Sequence, residues 1–414
     1  MKIRFHERTP MELQDKTILL GVCGGVAAYK SACLLRGMKR AGARVRVAMT
    51  EAATRFVTPL TFQALSGEAV HTGLWDEGVA MPHIELSRGV DAILIAPATA
   101  DFLARLATGR ADDLLSTLAL AREAPLFVAP AMNRQMWEHP ATRRNVETLL
   151  ADGVRFLGPT FGEQACGEEG EGRMLEPEEI QEAMIAALTP KRLAGKKVLR
   201  TAGPTFEAID PVRGITNLSS GRMGYALARA AMQAGAEVSI ISGPVEIAAP
   251  YGVRVTRVTS ALEMREAVLR EATATTLFIA VAAVADYRAE ETIAQKHKKE
   301  SGKAPVIRLV ANPDILAEVA ALPLAPFCVG FAAESENLEV FAEEKRKRKK
   351  IPLIVGNLVQ EGLGGRTNRV VLFDDQGQHP LPPGDKQVIA RQLIEHIADL
   401  LEKPHARANR RKNP

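Results

Sequence analysis

Three side chains in the first half of the chain are of types that suit proton transfer and carboxylate binding. His83 lies in the sequence HIEL, Asn133 in PAMNRQMW and Cys166 in QACG. An imidazole and a thiol can exchange protons near neutral pH, and an amide can donate a hydrogen bond to a carboxylate. Each residue also has a common structural role: His83 packed at a strand edge, Asn133 as a helix cap, and Cys166 as an inert loop thiol.

A glycine-rich turn, GVCGGVAAY, runs from Gly21 to Tyr29 between an apolar segment and an amphipathic one. Glycines at a strand-to-helix turn let the backbone approach a phosphate, and the helix N-terminus provides amide donors. The spacing is not GxGxxG, and the following strand closes on Thr50 rather than on an acidic residue. The turn therefore favours a mononucleotide over NAD, with a tight structural connection as the alternative.

The second half contains a long polar segment, TAGPTFEAIDPVRGITNLSSGRMG, between Thr201 and Gly224. Ser219, Ser220 and Gly221 open a predicted helix at its end. Their hydroxyls and amides can bind an anion there, or they can cap the helix and do nothing else.

Two lysine groups lie further along the chain. Lys296 begins the sequence KHKK on a predicted loop. Lys345 and Lys349 are four residues apart on a predicted helix and so share one face, where they could reach a triphosphate. The other lysines of the run that ends at Lys350 fit a solvated helix face.

The elements that must position these residues alternate between apolar runs of strand length and segments of helical period. This alternation predicts an α/β fold with parallel sheets. The series restarts after TPKRLAG, so we predict two tandem domains, residues 14–189 and 190–403, with disordered ends at 1–13 and 404–414. The polar segment Gly158–Gly172, which holds Cys166, fits a mobile lid.

Composition excludes several classes of protein. The 414 residues include 53 Lys and Arg, 49 Asp and Glu, and four cysteines without a CxxC pair. Disulfide scaffolding and a structural zinc site are therefore not expected. The positive charge is too local for a nucleic-acid face, and no apolar stretch is long enough for a membrane span. We expect a soluble cytoplasmic protein, with Cys33 and Cys328 in the core.

Six motifs in order over residues 17–175 resemble the flavin-dependent cysteine decarboxylase family, and within it the phosphopantothenoylcysteine decarboxylases. They are GGVAAYK, MTEAA, HIEL, PATAD, PAMNRQMW and QACG. The resemblance implies a flavodoxin-like domain that binds FMN. Cys23 departs from the pattern, since a serine is expected beside the flavin phosphate. The implied FMN contacts are Gly24, Gly25, Val26, Thr50, Thr99, Ala100 and Asp101.

The same resemblance implies an oxidative decarboxylation. FMN would oxidise the substrate thiol to a thioaldehyde, loss of CO2 would leave an enethiolate, and reduced flavin would return a hydride. It assigns the base to His83, the binding of the substrate carboxylate to Asn133, and the proton donor to Cys166.

Residues 196–402 resemble the phosphopantothenate–cysteine ligases through TAGPTFEAIDPVR, NLSSGRMG, AAVADYR, KHKK, NPDI and GFAAE. The resemblance implies a Rossmann-like domain in which CTP and Mg2+ activate a carboxylate as an acyl-cytidylate before cysteine attacks. Asn217 would contact the acyl intermediate, Arg213 lies on the same loop, and Lys296 would serve the transfer steps. The implied contacts to CTP are Ser219, Ser220, Gly221, Ala280, Val281, Ala282, Asp286, Lys296, Pro313, Asp314, Ile315, Leu316, Phe331, Lys345 and Lys349.

The resemblance also implies a homo-oligomer that is trimeric through the first domain and dimeric through the second, with small-molecule substrates. Three alternatives stay open. They are a decarboxylase of another cysteinyl substrate, a flavin-fold regulatory or binding protein without catalysis, and a dinucleotide dehydrogenase. The joint presence of His83, Asn133 and Cys166 argues against the second, and the absence of GxGxxG argues against the third.

Overall fold

The computed structural model describes residues 12–74, 81–250, 252–294, 306–362, 365 and 367–402. The chain divides into two compact units, Met1–Leu188 and Thr189–Pro414. Most of the predicted terminal segments lie outside the described residues. Leu13, which was placed in the first of them, is buried, and its backbone amide donates to the Ala41 carbonyl.

The first unit alternates strands with helices in chain order. Its elements are β1 (Thr17–Val22), α1 (Ala28–Arg40), β2 (Arg44–Met49), α2 (Glu51–Thr54), α3 (Pro59–Ser66), β3 (Val70–His71), α4 (Pro82–Ser87), β4 (Ala92–Ala98), α5 (Ala100–Ala107), α6 (Leu114–Leu120), β5 (Leu126–Pro130), α7 (Arg134–Glu138), α8 (Pro140–Ala151), β6 (Arg155–Phe156), β7 (Thr160–Glu163), β8 (Glu169–Arg173) and α9 (Pro177–Leu188).

Six of these strands form one parallel sheet in the order β3-β2-β1-β4-β5-β6. Its inner strands read as continuous apolar runs because both faces are covered by helices. Ile18 and Leu20 pack with Leu34 of α1 on one face, and Leu19 packs with Phe102 of α5 on the other. The strand order reverses between β1 and β4, since β2 and β3 lie on one side of β1 and β4 to β6 on the other. A crevice for ligands opens at such a point in parallel sheets.

The second unit begins at the next strand. Its elements are β9 (Lys197–Ala202), β10 (Phe206–Ala208), β11 (Gly214–Thr216), α10 (Arg222–Gln233), β12 (Glu237–Ser242), β13 (Arg254–Arg257), α11 (Ala261–Ala272), β14 (Leu277–Ala280), β15 (Tyr287–Ala289), β16 (Leu309–Ala311), α12 (Ile315–Ala320), β17 (Phe327–Glu334), α13 (Leu338–Lys349), β18 (Leu353–Leu358), α14 (Val359–Gly362), β19 (Thr367–Asn368), β20 (Val371–Asp374), β21 (Gly377–Pro380), β22 (Gly384–Asp385) and α15 (Lys386–Glu402).

The main sheet of this unit has eight strands in the order β13-β12-β9-β14-β17-β18-β20-β21. The first six are parallel and follow the same order along the chain as those of the first unit, while β20 and β21 add an antiparallel hairpin. Helices α10 and α15 cover one face, and α11, α12 and α13 cover the other. The point where the strand order reverses lies between β9 and β14.

The structure contradicts two of the expected residue placements. His83 lies in the first turn of α4, so its placement at a strand edge is wrong. Cys33 is exposed on α1, so its placement in the core is wrong, whereas Cys328 is buried as expected. The polar segment around Cys166 forms an antiparallel hairpin of β7 and β8. None of the described helices is long and apolar enough to cross a membrane.

Candidate functional site

A cavity of about 1300 Å³ opens in the first unit at the carboxyl ends of β1, β2, β4 and β5. It lies at the reversal point of the sheet, where parallel α/β sheets bind ligands. The predicted residues that line it are Gly24, Gly25, Val26, Thr50, Thr99, Ala100, Asp101, Asn133 and Cys166. The structure therefore brings together residues that are up to 142 positions apart, counted from Gly24 to Cys166.

Three helices point their N-termini toward this cavity. The side chain of the α1 cap residue, Ala27, makes no capping hydrogen bond, so side chains leave the first amides of α1 uncapped. Thr50 and Thr99 cap α2 and α5 by accepting from Ala53 N at 3.3 Å and from Phe102 N at 3.2 Å. A capping hydroxyl can still donate its own hydrogen to a ligand oxygen. Amide donors and helix dipoles together make this side of the cavity suitable for a phosphate.

The glycines of the turn leave room for a ligand. A Cβ on Gly25 would meet only Thr99 Cγ2, at 3.9 Å, so the space next to it belongs to the cavity. A Cβ on Gly24 would lie 2.5 Å from that of Ala52, so this glycine is needed for α2 to pack on the turn. Exposed apolar side chains of Val26, Tyr29, Phe56 and Met136 also line the cavity, beside charged residues such as Arg55 and Arg105. A flat aromatic ring system with a phosphate, such as FMN, fits a cavity with these two ends.

Asn133 and Cys166 meet at the end of the cavity formed by the β7–β8 hairpin. The Asn133 Nδ2 atom lies 3.5 Å from Cys166 Sγ and donates to Glu168 Oε2 at 3.0 Å. Hydrogen bonds from Asn133 and then Gln135 hold the pKa of the Glu168 carboxyl below its usual value. Asn133 Oδ1 also accepts from Gln135 N and caps α7, so its predicted structural role as a helix cap is confirmed.

Side-chain and backbone contacts hold this hairpin in place. Gln164 Oε1 accepts from Arg134 N at 3.0 Å, and its Nε2 donates to the Glu171 carbonyl at 3.0 Å. Gly172 has φ +124°, and a Cβ there would lie 2.5 Å from the Met132 carbonyl oxygen. The Met132 amide donates to the Gly172 carbonyl at 2.9 Å. The loops that carry Asn133 and Cys166 are thus connected directly.

His83 is not among the residues that line this cavity. Its Nδ1 atom is buried without a hydrogen-bond partner. Exposed Met81 precedes it, and exposed Leu120 ends α6, the helix against which α4 packs. The structure of one chain therefore does not bring His83 to Asn133 and Cys166.

A smaller cavity of about 120 Å³ lies at the corresponding reversal point of the second unit. Predicted residues that line it are Ser219, Ser220, Gly221, Val281 and Phe331. Gly221, with φ +72°, occupies the N-cap position of α10. It has no side chain, so no side-chain hydrogen bond caps the first amides of α10. The lining residues that were not predicted include four with polar or charged side chains: Arg222, Asn357, Asn368 and Lys386.

Lys386 is one of two cationic residues, with Arg222, among the described residues that line this cavity. Its ammonium donates to the carbonyls of Gly362 at 2.9 Å and Gly365 at 2.6 Å. Burial, and then the charge of Arg222, lowers the pKa of Lys386. An anionic ligand would restore the preference for the charged form. No motif pointed to Lys386, because it opens a helix whose sequence carries no glycine-rich turn.

Asn217 is not among the residues that line this cavity, but it is hydrogen-bonded to two that do, Ala283 and Ser219. Its Nδ2 donates to the Ala283 carbonyl, and its Oδ1 accepts from Ser219 N at 3.0 Å. It thereby connects the loop before α10 to the loop after β14. Arg213 forms a two-pronged ion pair with the fully buried carboxylate of Asp210, which holds the same segment.

The remaining predicted contacts lie around the ends of β14 and β17. The amides of Val281 and Ala282, which follow Ala280, donate to Thr201 Oγ1, and Asp286 is exposed. The segment from Pro313 leads into α12, where Ile315 and Leu316 are buried in the core. Because their side chains are buried, these two residues can contact a nucleotide only through their backbone.

The two predicted lysines of α13 already bind protein acceptors. Lys345 Nζ donates to the Phe331 carbonyl at 2.9 Å, and Lys349 Nζ pairs with Asp314 at 2.7 Å. Burial, and then the neighbouring charge of Lys349, lowers the pKa of Lys345. Each ammonium has three N–H donors, so a triphosphate could bind beside these acceptors. Lys296 lies outside the described residues.

Family models match both units. Residues 6–189 match the family described as Flavoprotein, and residues 193–401 match the DNA/pantothenate metabolism flavoprotein C-terminal domain. The C-terminal domain of a coenzyme A biosynthesis bifunctional protein CoaBC, known from a crystal structure, is 38% identical, with a TM-score of 0.45, and covers 51% of this chain and 98% of that one.

Curated relatives match along almost the whole chain. The coenzyme A biosynthesis bifunctional protein CoaBC of Vibrio cholerae is 50% identical over 392 residues, which cover 93% of this chain and 98% of the relative. That of Escherichia coli K12 is 45% identical over 406 residues, covering 96% and 100%. The chain belongs to the family of the coenzyme A biosynthesis bifunctional protein CoaBC.

Proposed function

We propose that the chain catalyses two successive reactions of coenzyme A biosynthesis. In the second unit, 4′-phosphopantothenate attacks CTP to give an acyl-cytidylate and pyrophosphate, and the amine of cysteine then displaces CMP. In the first unit, the resulting 4′-phosphopantothenoylcysteine loses CO2 and becomes 4′-phosphopantetheine. Family membership over both units supports this pairing of activities.

The cavity of the first unit carries the decarboxylase proposal. Its phosphate-binding side holds three helix N-termini, and its opposite end holds Asn133 and Cys166 within 3.5 Å of each other. When bound there, FMN would supply a two-electron acceptor that later returns a hydride. Asn133 would hold the substrate carboxylate through Nδ2, and Cys166 would deliver a proton to the substrate carbon.

Glu168 now occupies the donor that the substrate would use. Because the substrate carboxylate carries the same charge, it would have to displace the Glu168 carboxylate from Asn133 Nδ2. We expect Glu168→Gln to lower the KM for 4′-phosphopantothenoylcysteine by about threefold to tenfold, with little change in kcat, since one repulsive charge is removed. Steady-state kinetics of the decarboxylation step would measure this.

Glu169→Gln provides the matched control, because Glu169 is an exposed carboxylate on the same hairpin. It should leave KM close to that of the unmodified chain. An equal fall in both variants would show a general charge effect rather than competition for Asn133.

His83 suggests an oligomer. The resemblance places flavin sites at contacts between subunits, and in one chain His83 lies outside the cavity beside the exposed apolar Met81 and Leu120. We propose that a second copy of the chain brings its His83 to the cavity. The family resemblance is also the basis for proposing that the first unit associates as a trimer and the second as a dimer.

Co-expression of two inactive variants tests this arrangement. His83→Asn and Cys166→Ser should each block formation of saturated 4′-phosphopantetheine when expressed alone. Random mixing should restore about a quarter of the sites, since each needs an intact Cys166 from one copy and an intact His83 from another. A mixture as inactive as its parents would place His83 outside the partner's site.

For the ligase, the proposed anion-binding groups are the uncapped start of α10, Lys386 and the α13 lysines. Mg2+ would enter as the complex of CTP, where it would neutralise the triphosphate. Asn217 would contact the acyl group.

One assay tests both halves. The purified chain is incubated with 4′-phosphopantothenate, cysteine, CTP and Mg2+, and the products are identified by mass spectrometry. We expect 4′-phosphopantetheine, CMP and pyrophosphate from a yellow protein that releases FMN on denaturation. Failure to form 4′-phosphopantothenoylcysteine would overturn the ligase proposal, and a colourless protein that cannot be reconstituted with FMN would overturn the decarboxylase proposal.

A further inference from the structure

We propose that Asp374, His379 and His396 form a binding site for one divalent d-block cation such as Zn2+. His379 Nε2 lies 3.1 Å from Asp374 Oδ1, and His396 Nε2 lies 2.9 Å from Asp374 Oδ2. One ligand atom from each residue lies within 4.8 Å of the other two. Within the described part of the chain, no other His, Cys, Asp or Glu residues form such a group of three or more.

The spacing agrees with coordination of a single ion. Two ligands bound to Zn2+ at about 2.0–2.1 Å and about 90–110° apart lie about 2.9–3.4 Å from each other. The two nitrogen–oxygen separations, 3.1 and 2.9 Å, fall in this range but involve the two different oxygens of Asp374. The three ligand atoms are grouped within 4.8 Å, so the imidazoles must move closer together to bind one ion. The two imidazole rings are 4.8 Å apart between centroids and inclined by 50°, so a small ring movement can direct both Nε2 atoms at one ion.

The fold brings the three residues together from separate elements. Asp374 ends β20, His379 lies on β21, and His396 lies on α15. The hairpin of β20 and β21 is short, with Asp374 paired to Gly377. The helix is held against the sheet by Leu393 and Ile397, next to His396. The site therefore rests on a rigid framework.

The carboxylate is prepared to act as a ligand. The Asp374 side chain is 2% exposed, and its Oδ1 accepts a hydrogen bond from the Gln376 amide at 2.7 Å. Such a backbone contact orients a metal-binding carboxylate.

Two imidazoles and one carboxylate favour zinc or a similar d-block ion over Mg2+, which prefers oxygen ligands. Three protein ligands leave a coordination position for water. The ion would join the β20–β21 hairpin to α15, the helix whose first residue is Lys386 of the second cavity. This site is separate from the proposed chemistry and does not depend on it.

Metal binding to the full-length chain without a histidine tag tests the proposal. Equilibrium dialysis against Zn2+, read by elemental analysis, should show one more bound Zn2+ per chain for the unmodified protein than for His379→Gln or His396→Ala. The affinity at this site should fall at least about 100-fold in each variant. Zn2+ should raise the Tm of the unmodified chain but not that of the variants.

His379→Gln keeps an amide that can donate to Asp374, so this variant should fold without the metal ligand. His71→Ala is the matched control, since it removes an imidazole elsewhere and should keep the full stoichiometry. Equal zinc uptake by the unmodified chain and both cluster variants, or no uptake by the unmodified chain, would overturn the proposal.

Discussion

Cys166→Ser is expected to lower formation of saturated 4′-phosphopantetheine by about 10²–10³-fold while CO2 release continues. Cys166 Sγ lies 3.5 Å from Asn133 Nδ2, in the position from which a proton can reach a bound substrate. A serine hydroxyl is a far weaker acid than a thiol, so the last proton transfer should stop. Mass spectrometry should show an enethiol product that lacks two hydrogens relative to the saturated one.

Cys33→Ser is the control for this substitution. It makes the same change at another exposed thiol of the same unit, on α1, and should leave both products at their usual ratio. A Cys166→Ser protein that yields saturated product at the normal rate would remove Cys166 as the proton donor.

Asn217→Ala is expected to reduce the kcat/KM of the ligase by on the order of 100-fold or more. The substitution removes the amide that holds the Ala283 carbonyl and the oxygen that accepts from Ser219 N. Both loops at the rim of the second cavity then lose their connection, together with the proposed contact to the acyl group. Pyrophosphate release with saturating CTP would measure the loss.

The same protein contains an internal control. Decarboxylation of added 4′-phosphopantothenoylcysteine by Asn217→Ala should be unchanged, because Asn217 belongs to the other unit. Thr216→Val removes a neighbouring hydrogen bond of the loop, from Thr216 Oγ1 to the Thr205 carbonyl at 2.8 Å. It should cost less than about fivefold in ligase rate. Similar losses in both variants would indicate a general loosening of the loop, and an unimpaired Asn217→Ala would contradict the assigned contact.

Much of the parallel core follows from local sequence. Strands covered on both faces are largely apolar, so the run Thr17–Val22 was recognisable at its observed bounds. Arg44–Met49 was recognisable too, although arginine and valine alternate in its first four residues. The helices after them carry apolar residues at helical spacing because only one side faces the sheet. The hairpin of β7 and β8 has no such apolar pattern. It is held by hydrogen bonds such as those of Gln164 with Arg134 and Glu171, which leave no periodic signal in the sequence.

Side-chain positions in the sites were predictable only in part. Asn133 and Cys166 stand in distinctive motifs, and both reach the first cavity. His83 also stands in a motif, yet its helix holds it away from the cavity of its own chain. Asn357, Asn368 and Lys386 line the second cavity but belong to no recognisable motif. Their placement depends on where β18 and β19 end and where α15 begins.

By itself, the sequence determined the alternation of strands and helices, the positions of the glycine-rich turns and the residue types available for chemistry. These features depend on neighbours within one turn of helix or one strand. Only the tertiary structure decided which distant residues meet, because strand order and helix packing set those distances. The contact between Asn133 and Cys166, the pairing of Lys345 and Lys349 with protein acceptors, and the meeting of Asp374 with His379 and His396 all arise at that level.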